Sequence, residues 1–418
     1  MRICWILFLV LFGFLACRKP DPDPILPNTN QDTPKLNILW QKPLTQDTAE
    51  HSGEAQYLWN GNLIYGVSWN IPSTLNMCDG SNGNLIWSFD QFTKQLGFFT
   101  KYGKVFPFGD NTLVHGSDYD YCISNITGKK IWETHLEYPN GSKSEAVKIG
   151  NYLYKVNYSG DSPKHLNSAL VRSNFSTQSW DTLHTSFPEG NYYPSYEDAS
   201  PAIGLNTNGD SILIFTKYLT WVAAQNAPNN ILGKNKVIAL NLRTRQVLWE
   251  RDDLSPNGNP GGFTIENNRI YTFGQKVAYC LDLNTGATVW SNQPSNKVFS
   301  IAPVIYKNVL VIHAESTGTY GLDKNSGQVL WYNPDTDGNA FELTCFEGVV
   351  YFTSSGYARL YAIDALTGTT IWNEGSPNAG KGKSYGASFF DTPIVIDPDR
   401  KVLFIGDKYY MMCIKLPR

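Results

Sequence analysis

Several things are scarce in this chain, and each scarcity removes a class of function. Only 17% of its 418 residues are charged, and no dense run of lysine and arginine occurs. With a net charge of −3, nothing argues for nucleic acid as a partner. There is no Cys-x-x-Cys, no His-Glu-x-x-His and no Gly-x-Ser-x-Gly, so common metal, redox and hydrolase motifs are absent. The six histidines (His51, His115, His135, His165, His184, His313) are scattered without metal-ligand spacing. Gly380 to Ser384 echoes a phosphate loop, but Pro377 stands where its first glycine belongs, so a basic surface loop is expected. Few stretches carry a helical apolar period. Aromatics are plentiful at 14%, with 35 glycines and 23 prolines, a mixture that favours short strands and many turns. The chain reads as all-β.

The start of the chain is different. Arg2 is followed by an apolar run, Ile3 to Ala16, of 14 residues. That is shorter than the roughly 20 residues that span a bilayer as a helix. It closes on Phe14-Leu15-Ala16-Cys17, which resembles a lipoprotein signal box. The resemblance implies export, cleavage before Cys17 and lipidation of its thiol, with more than one acyl chain for stable anchoring. Residues 1–16 are then a signal peptide, and residues 17–35, rich in proline and aspartate, an extended tether. Five cysteines remain beyond the signal, an odd number with no vicinal pair, so no disulfide framework is expected. Cys122, Cys280 and Cys413 share one repeat position with Ala362 and read as small packing residues.

Internal repetition fixes the architecture. CDGSNGNLIW (78–87), LDLNTGATVW (281–290), LDKNSGQVLW (322–331) and IDALTGTTIW (363–372) each run from aspartate through a polar turn and glycine to an apolar pair and tryptophan. ISNITGKKIW (123–132) carries Ser124 for aspartate, and LNLRTRQVLW (240–249) carries Asn241 for aspartate and Arg245 for glycine. VRSNFSTQSW (171–180) is a degenerate copy, and NILW (37–40) a bare terminus. The copies end on Trp40, Trp87, Trp132, Trp180, Trp249, Trp290, Trp331 and Trp372, at spacings of 47, 45, 48, 69, 41, 41 and 41. A unit of about 41 residues fits a four-stranded up-and-down blade. The last unit lacks a tryptophan strand and the first is only that strand. The expectation is therefore one eight-bladed β-propeller over residues 36–418, closed by the N-terminal strand completing the last blade.

The Asp-x-x-Thr-Gly-x-x-x-Trp pattern resembles the tryptophan-docking repeat of pyrroloquinoline quinone (PQQ)-type propellers, over essentially all of residues 37–416. The resemblance implies that each indole wedges between neighbouring blades. It also brings quinone dehydrogenases into view, but their pattern needs a vicinal cysteine pair, a calcium-bound cofactor and a catalytic aspartate, none of which transfers to this chain. A PQQ-dependent oxidoreductase is therefore the minor expectation, and no cofactor, metal or catalytic residue is assigned. A propeller alone on a lipid anchor resembles the BamB-type outer-membrane assembly lipoproteins. The leading expectation is a non-catalytic, monomeric, protein-binding scaffold of the cell envelope, lipid-anchored at the outer membrane. The alternative is a glycan or small-ligand binder.

Departures from the repeat point to a binding face. The unit ending at Trp249 is long, with extra residues in Thr216 to Lys236, and Ser159 to Asn167 is a similar bulge. Long entries occur at Ser88 to Thr100, Glu133 to Glu145 and Asp181 to Ser200. In an up-and-down blade both kinds of connection leave on the same side. Their aromatics (Phe98, Phe99, Tyr102, Tyr138, Tyr192, Tyr193, Tyr196 and Trp221) form the candidate contact surface.

Overall fold

The computed structural model describes residues 35–45, 52–68, 73–93, 105–116, 119–135, 146–159, 167–186, 192–195, 201–221, 233–254, 262–299, 301–336, 338–354, 358–379, 388–389 and 392–417. Its strands form eight antiparallel sheets, the blades of an all-β propeller, within the compact unit Pro34–Arg418. Blades 1 to 7 cover 52–89, 105–135, 147–186, 192–251, 264–292, 304–333 and 344–375. Blade 8 is composite. Strands Val395–Asp397, Val402–Gly406 and Tyr410–Lys415 are joined by Ile38–Pro43, which pairs with Tyr410–Lys415 from Ile38↔Ile414 to Pro43↔Tyr410. The closure expected from the sequence is the one found.

The core lies between blades rather than inside any one of them. A blade is a single sheet with two faces, and both need cover. Eight clusters of buried side chains result, one at each seam. Tyr271, Phe273 and Trp290 of blade 5, for example, pack with Leu310, Ile312 and Tyr320 of blade 6. Ala55, Leu63 and Tyr65 of blade 1 pack with Phe404 and Met411 of blade 8. Seven clusters hold a repeat tryptophan, and the one between blades 3 and 4 does not.

Strand order sets two unlike faces. Turns between strands one and two, and between three and four, lie on one side, here the turn face. The connections between strands two and three, and from blade to blade, leave on the other, the loop face. The N-terminal strand enters blade 8 at its turn-face end, where Ile38 lies opposite Ile414.

Seven blades have four strands, but blade 4 has five. Its second strand, Ser211–Trp221, runs for 11 residues against five to eight for its counterparts in the other blades. Ala202–Leu205 pairs with its lower half and Tyr192–Ser195 with its upper half. Much of the expected insertion is thus strand: Thr216 to Thr220 pairs with Gly233 to Val237.

Candidate interaction face

The signature residues serve the seams. In the regular turns the aspartate carboxylate accepts hydrogen bonds from the amides two and three residues on; Asp323 Oδ1 takes Asn325 N at 2.9 Å and Ser326 N at 2.8 Å. Asp364 does the same, and Asn241 and Asn174 substitute for it in blades 4 and 3. The residue four after this acceptor has positive φ, as at Gly327 (74°). Glycine is needed there for a second reason: a Cβ on Gly327 would lie 2.6 Å from the ring of Trp290 in the preceding blade. Five of the docked indoles also donate their Nε1–H to a carbonyl of that turn. Trp40, Trp87, Trp249, Trp290 and Trp331 reach Gly80, Asn125, Leu283, Lys324 and Ala365 at 2.8–3.2 Å. Trp132 stacks on Phe175 with centroids 6.3 Å apart, and Trp372 is buried among Leu403, Ile414 and Leu416.

Trp180 corrects the sequence reading. The turn of blade 3 is built on Asn174, with positive φ at Gln178, so Trp180 follows the capping residue of its turn by six residues where Trp290 and Trp331 follow theirs by eight. It lies opposite Ser173, on the side of the sheet away from the docking side, and is 42% exposed. Asp181, opposite Arg172, takes the docking side. The same shift makes Asp181 to Ser186 part of the outer strand rather than a loop.

Opposite six of the docked indoles sits a small residue: Cys122↔Trp132, Ala239↔Trp249, Cys280↔Trp290, Gly321↔Trp331, Ala362↔Trp372 and Cys413↔Trp40, while Trp87 faces Met77. The described cysteines are free thiols spread over five blades. Burial pushes the thiols of Cys122 and Cys280 up to about 11, and those of Cys78 and Cys413 up to about 12. These thiols stay protonated and unreactive at neutral pH. Alkylation of the native protein at pH 8 should therefore leave these four unmodified, while denaturant exposes all of them; native labelling read by mass spectrometry would contradict the packing role.

Buried histidines are held rather than poised. His115 Nδ1 lies 2.6 Å from Asp120 Oδ1, and His313, in the same slot of blade 6, contacts Thr319 Oγ1 at 3.0 Å and Gly338 O at 2.8 Å. Among the described residues no group of three or more His, Cys, Asp or Glu is placed to hold a metal. Nor do cysteines in separate blades fit the vicinal pair of a quinone site.

On the loop face the feature is the extended sheet of blade 4. Tyr192 and Tyr193 lie opposite Trp221 and Thr220, so three of the expected aromatics share one sheet. Phe98, Phe99, Tyr102, Tyr138 and Tyr196 lie outside the described residues, as does Cys17. Beneath the extension, Lys217 and Lys236 are directly opposed, and Lys236 Nζ is 3.9 Å from Glu250. His184 of blade 3 stacks edge-on against Phe215 with centroids 5.8 Å apart. Burial lowers its pKa, Glu250 opposes that shift and Lys217 reinforces it. The fifth strand escaped the sequence reading because Tyr-Tyr-Pro-Ser is too short to show alternation. Its one usable signal is Pro194, which suits an edge strand.

Residues 233–418 match a family model described as outer membrane protein assembly factor BamB. Tetrathionate hydrolase of Acidithiobacillus ferrooxidans is 26% identical over 269 residues, 61% of this chain and 47% of that protein. The chain thus spans about half the length of this curated relative. BamB from Moraxella catarrhalis superposes with a TM-score of 0.60 at 11% identity, covering 91% of this chain and all of that one. A europium-containing methanol dehydrogenase gives a TM-score of 0.60 at 9% identity, covering 88% and 84%. At such identities the structural matches establish a shared propeller fold.

Proposed function

We propose that this BamB-like propeller is a non-catalytic scaffold of the cell envelope that binds a protein partner through its loop face. The observation that carries the reading is the fifth strand and lengthened hairpin of blade 4. Contact residues fixed on paired strands are positioned more firmly than residues on free loops. Tyr192, Tyr193 and Trp221 on that sheet are of the residue types that anchor interfaces. Assistance to outer-membrane protein assembly is the specific version, from the family match over residues 233–418. The disc works as a monomer and needs no cofactor.

The test is a crosslinking pull-down of the full chain from its native envelope, wild type against Trp221→Ala/Tyr193→Ala. Loss of two anchors should reduce capture of a barrel-assembly partner by roughly tenfold or more. Equal capture by both proteins would remove the proposed face. A second reading, catalysis, draws on the relation to tetrathionate hydrolase. Turnover of tetrathionate, or quinone-dependent dye reduction, by the purified protein would replace the scaffold reading. Retention on a glycan array without a protein partner would favour sugar binding.

A further inference from the structure

The seam between blades 3 and 4 is built unlike the others. At four of the other seven seams three residues interlock: an indole, the glycine of the next blade's turn beneath it, and a small residue across the strand pair; the remaining three keep the indole. Here all three are replaced together. Asp181 stands on the docking side, Arg245 occupies the glycine position with φ of 60°, and Arg172 lies opposite Asp181. Arg172 holds Asp181 with two bonds of 2.9 Å, and Arg245 Nη2 reaches the same carboxylate at 2.6 Å. Arginine is tolerated at the glycine position because no indole lies there. The buried cluster behind the trio contains Tyr154, Leu170, Leu213, Phe215, Ile238 and Leu240 but no tryptophan.

The two constructions respond oppositely to solvent. An indole on glycine is held by buried apolar area and a hydrogen bond, and salt does not weaken it. The carboxylate between two guanidiniums is part-exposed, with Asp181 36% and Arg245 49% exposed, so its attraction is modest and screened by salt. Burial raises the pKa of Asp181, but the bonds from Arg172 and the charges of Arg172 and Arg245 outweigh it and keep the carboxylate ionised. Trp180 does not compensate, because it lies on the other side of the sheet.

We propose that the seam between blades 3 and 4 is a conformational joint: the place where the ring loosens first, under the control of ionic strength. The two ends of the chain, clasped in blade 8, are not the weak point, because that clasp is flanked by docked Trp40 and buried Trp372. The joint borders the blade with the extended sheet, so loosening it moves that sheet relative to blade 3. This inference goes beyond the binding proposal and stands without it.

Hydrogen–deuterium exchange of the full chain tests it. Amides of strand Ser179–Ser186 and of residues 241–246 should exchange roughly tenfold faster than those of Thr288–Asn292 and Val329–Asn333. Raising KCl from about 0.05 to about 1 M should widen that gap several-fold. Asp181→Ala should accelerate the same peptides at low salt and abolish the salt effect. The triple variant Arg172→Ala/Asp181→Trp/Arg245→Gly, which restores the docking trio, should slow them to the level of the other seams. Should the triple variant not fold, Asp181→Ala and the salt series decide. Uniform protection at both salt concentrations, or first exchange at Ile38–Pro43, overturns the proposal.

Discussion

Replacing Trp290 by alanine should destabilise the protein by about 3–5 kcal/mol, whereas the same change at Trp180 should stay within about 0.5 kcal/mol. Trp290 is buried between blades 5 and 6, donates to Lys324 O at 2.9 Å and covers Gly327. Removing it opens a cavity that two sheets cannot collapse into, because their separation is held by the rest of the cluster, including Phe299 and Tyr320. Trp180 leaves no such cavity. Urea unfolding followed by far-ultraviolet circular dichroism would measure both. Equal losses would mean that blade 3 has the register suggested by its tryptophan rather than by Asn174.

Asp407→Ala should cost about 3–4 kcal/mol by the same measurement, with Asp407→Asn in between. This buried carboxylate accepts Ser376 Oγ at 2.7 Å, Asn378 Nδ2 at 3.0 Å, Tyr409 N at 2.7 Å and Tyr410 N at 2.6 Å. Asn378 Nδ2 also lies 3.3 Å from Gln41 Oε1, which ties blade 7, the last hairpin and the N-terminal strand together. Alanine would strand several donors away from water, each carrying a desolvation penalty. Asparagine keeps one acceptor oxygen but turns an amide towards the others. A loss below about 1 kcal/mol for alanine would mean that water replaces the carboxylate and that the cluster does not lock the ring.

The parts legible in the sequence were those with a local cause. Asp, turn, glycine and tryptophan recur because a side-chain-capped turn, a positive φ and an indole cavity coincide at the regular seams, and each copy with the full set marks its own blade. Blade 3 is deceptive in the sequence because its conspicuous residue is Trp180, while the residue that closes the turn and sets the register is Asn174. The joint at Asp181 was invisible for a related reason. Arg172, Asp181 and Arg245 are distant in sequence, and only pairing reveals that they replace one trio. Closure was readable because a tryptophan strand without a blade and a blade without a tryptophan strand complete each other. The extended sheet was readable as extra length, yet its pairing was not, since Tyr192 and Trp221 meet only through the register of blade 4.

The composite blade also has a mechanical side. The strand Ile38–Pro43 is both the fourth strand of blade 8 and the point where the preceding segment transmits any pull to the disc. Force along that strand, directed out of its turn-face end, loads the hydrogen bonds to Tyr410–Lys415 together, in shear. Force directed away from the rim would instead break them one pair at a time, beginning with Ile38 and Ile414. A disc tugged from below its turn face is thus fastened in its strong direction, and one dragged sideways by the same leash unzips.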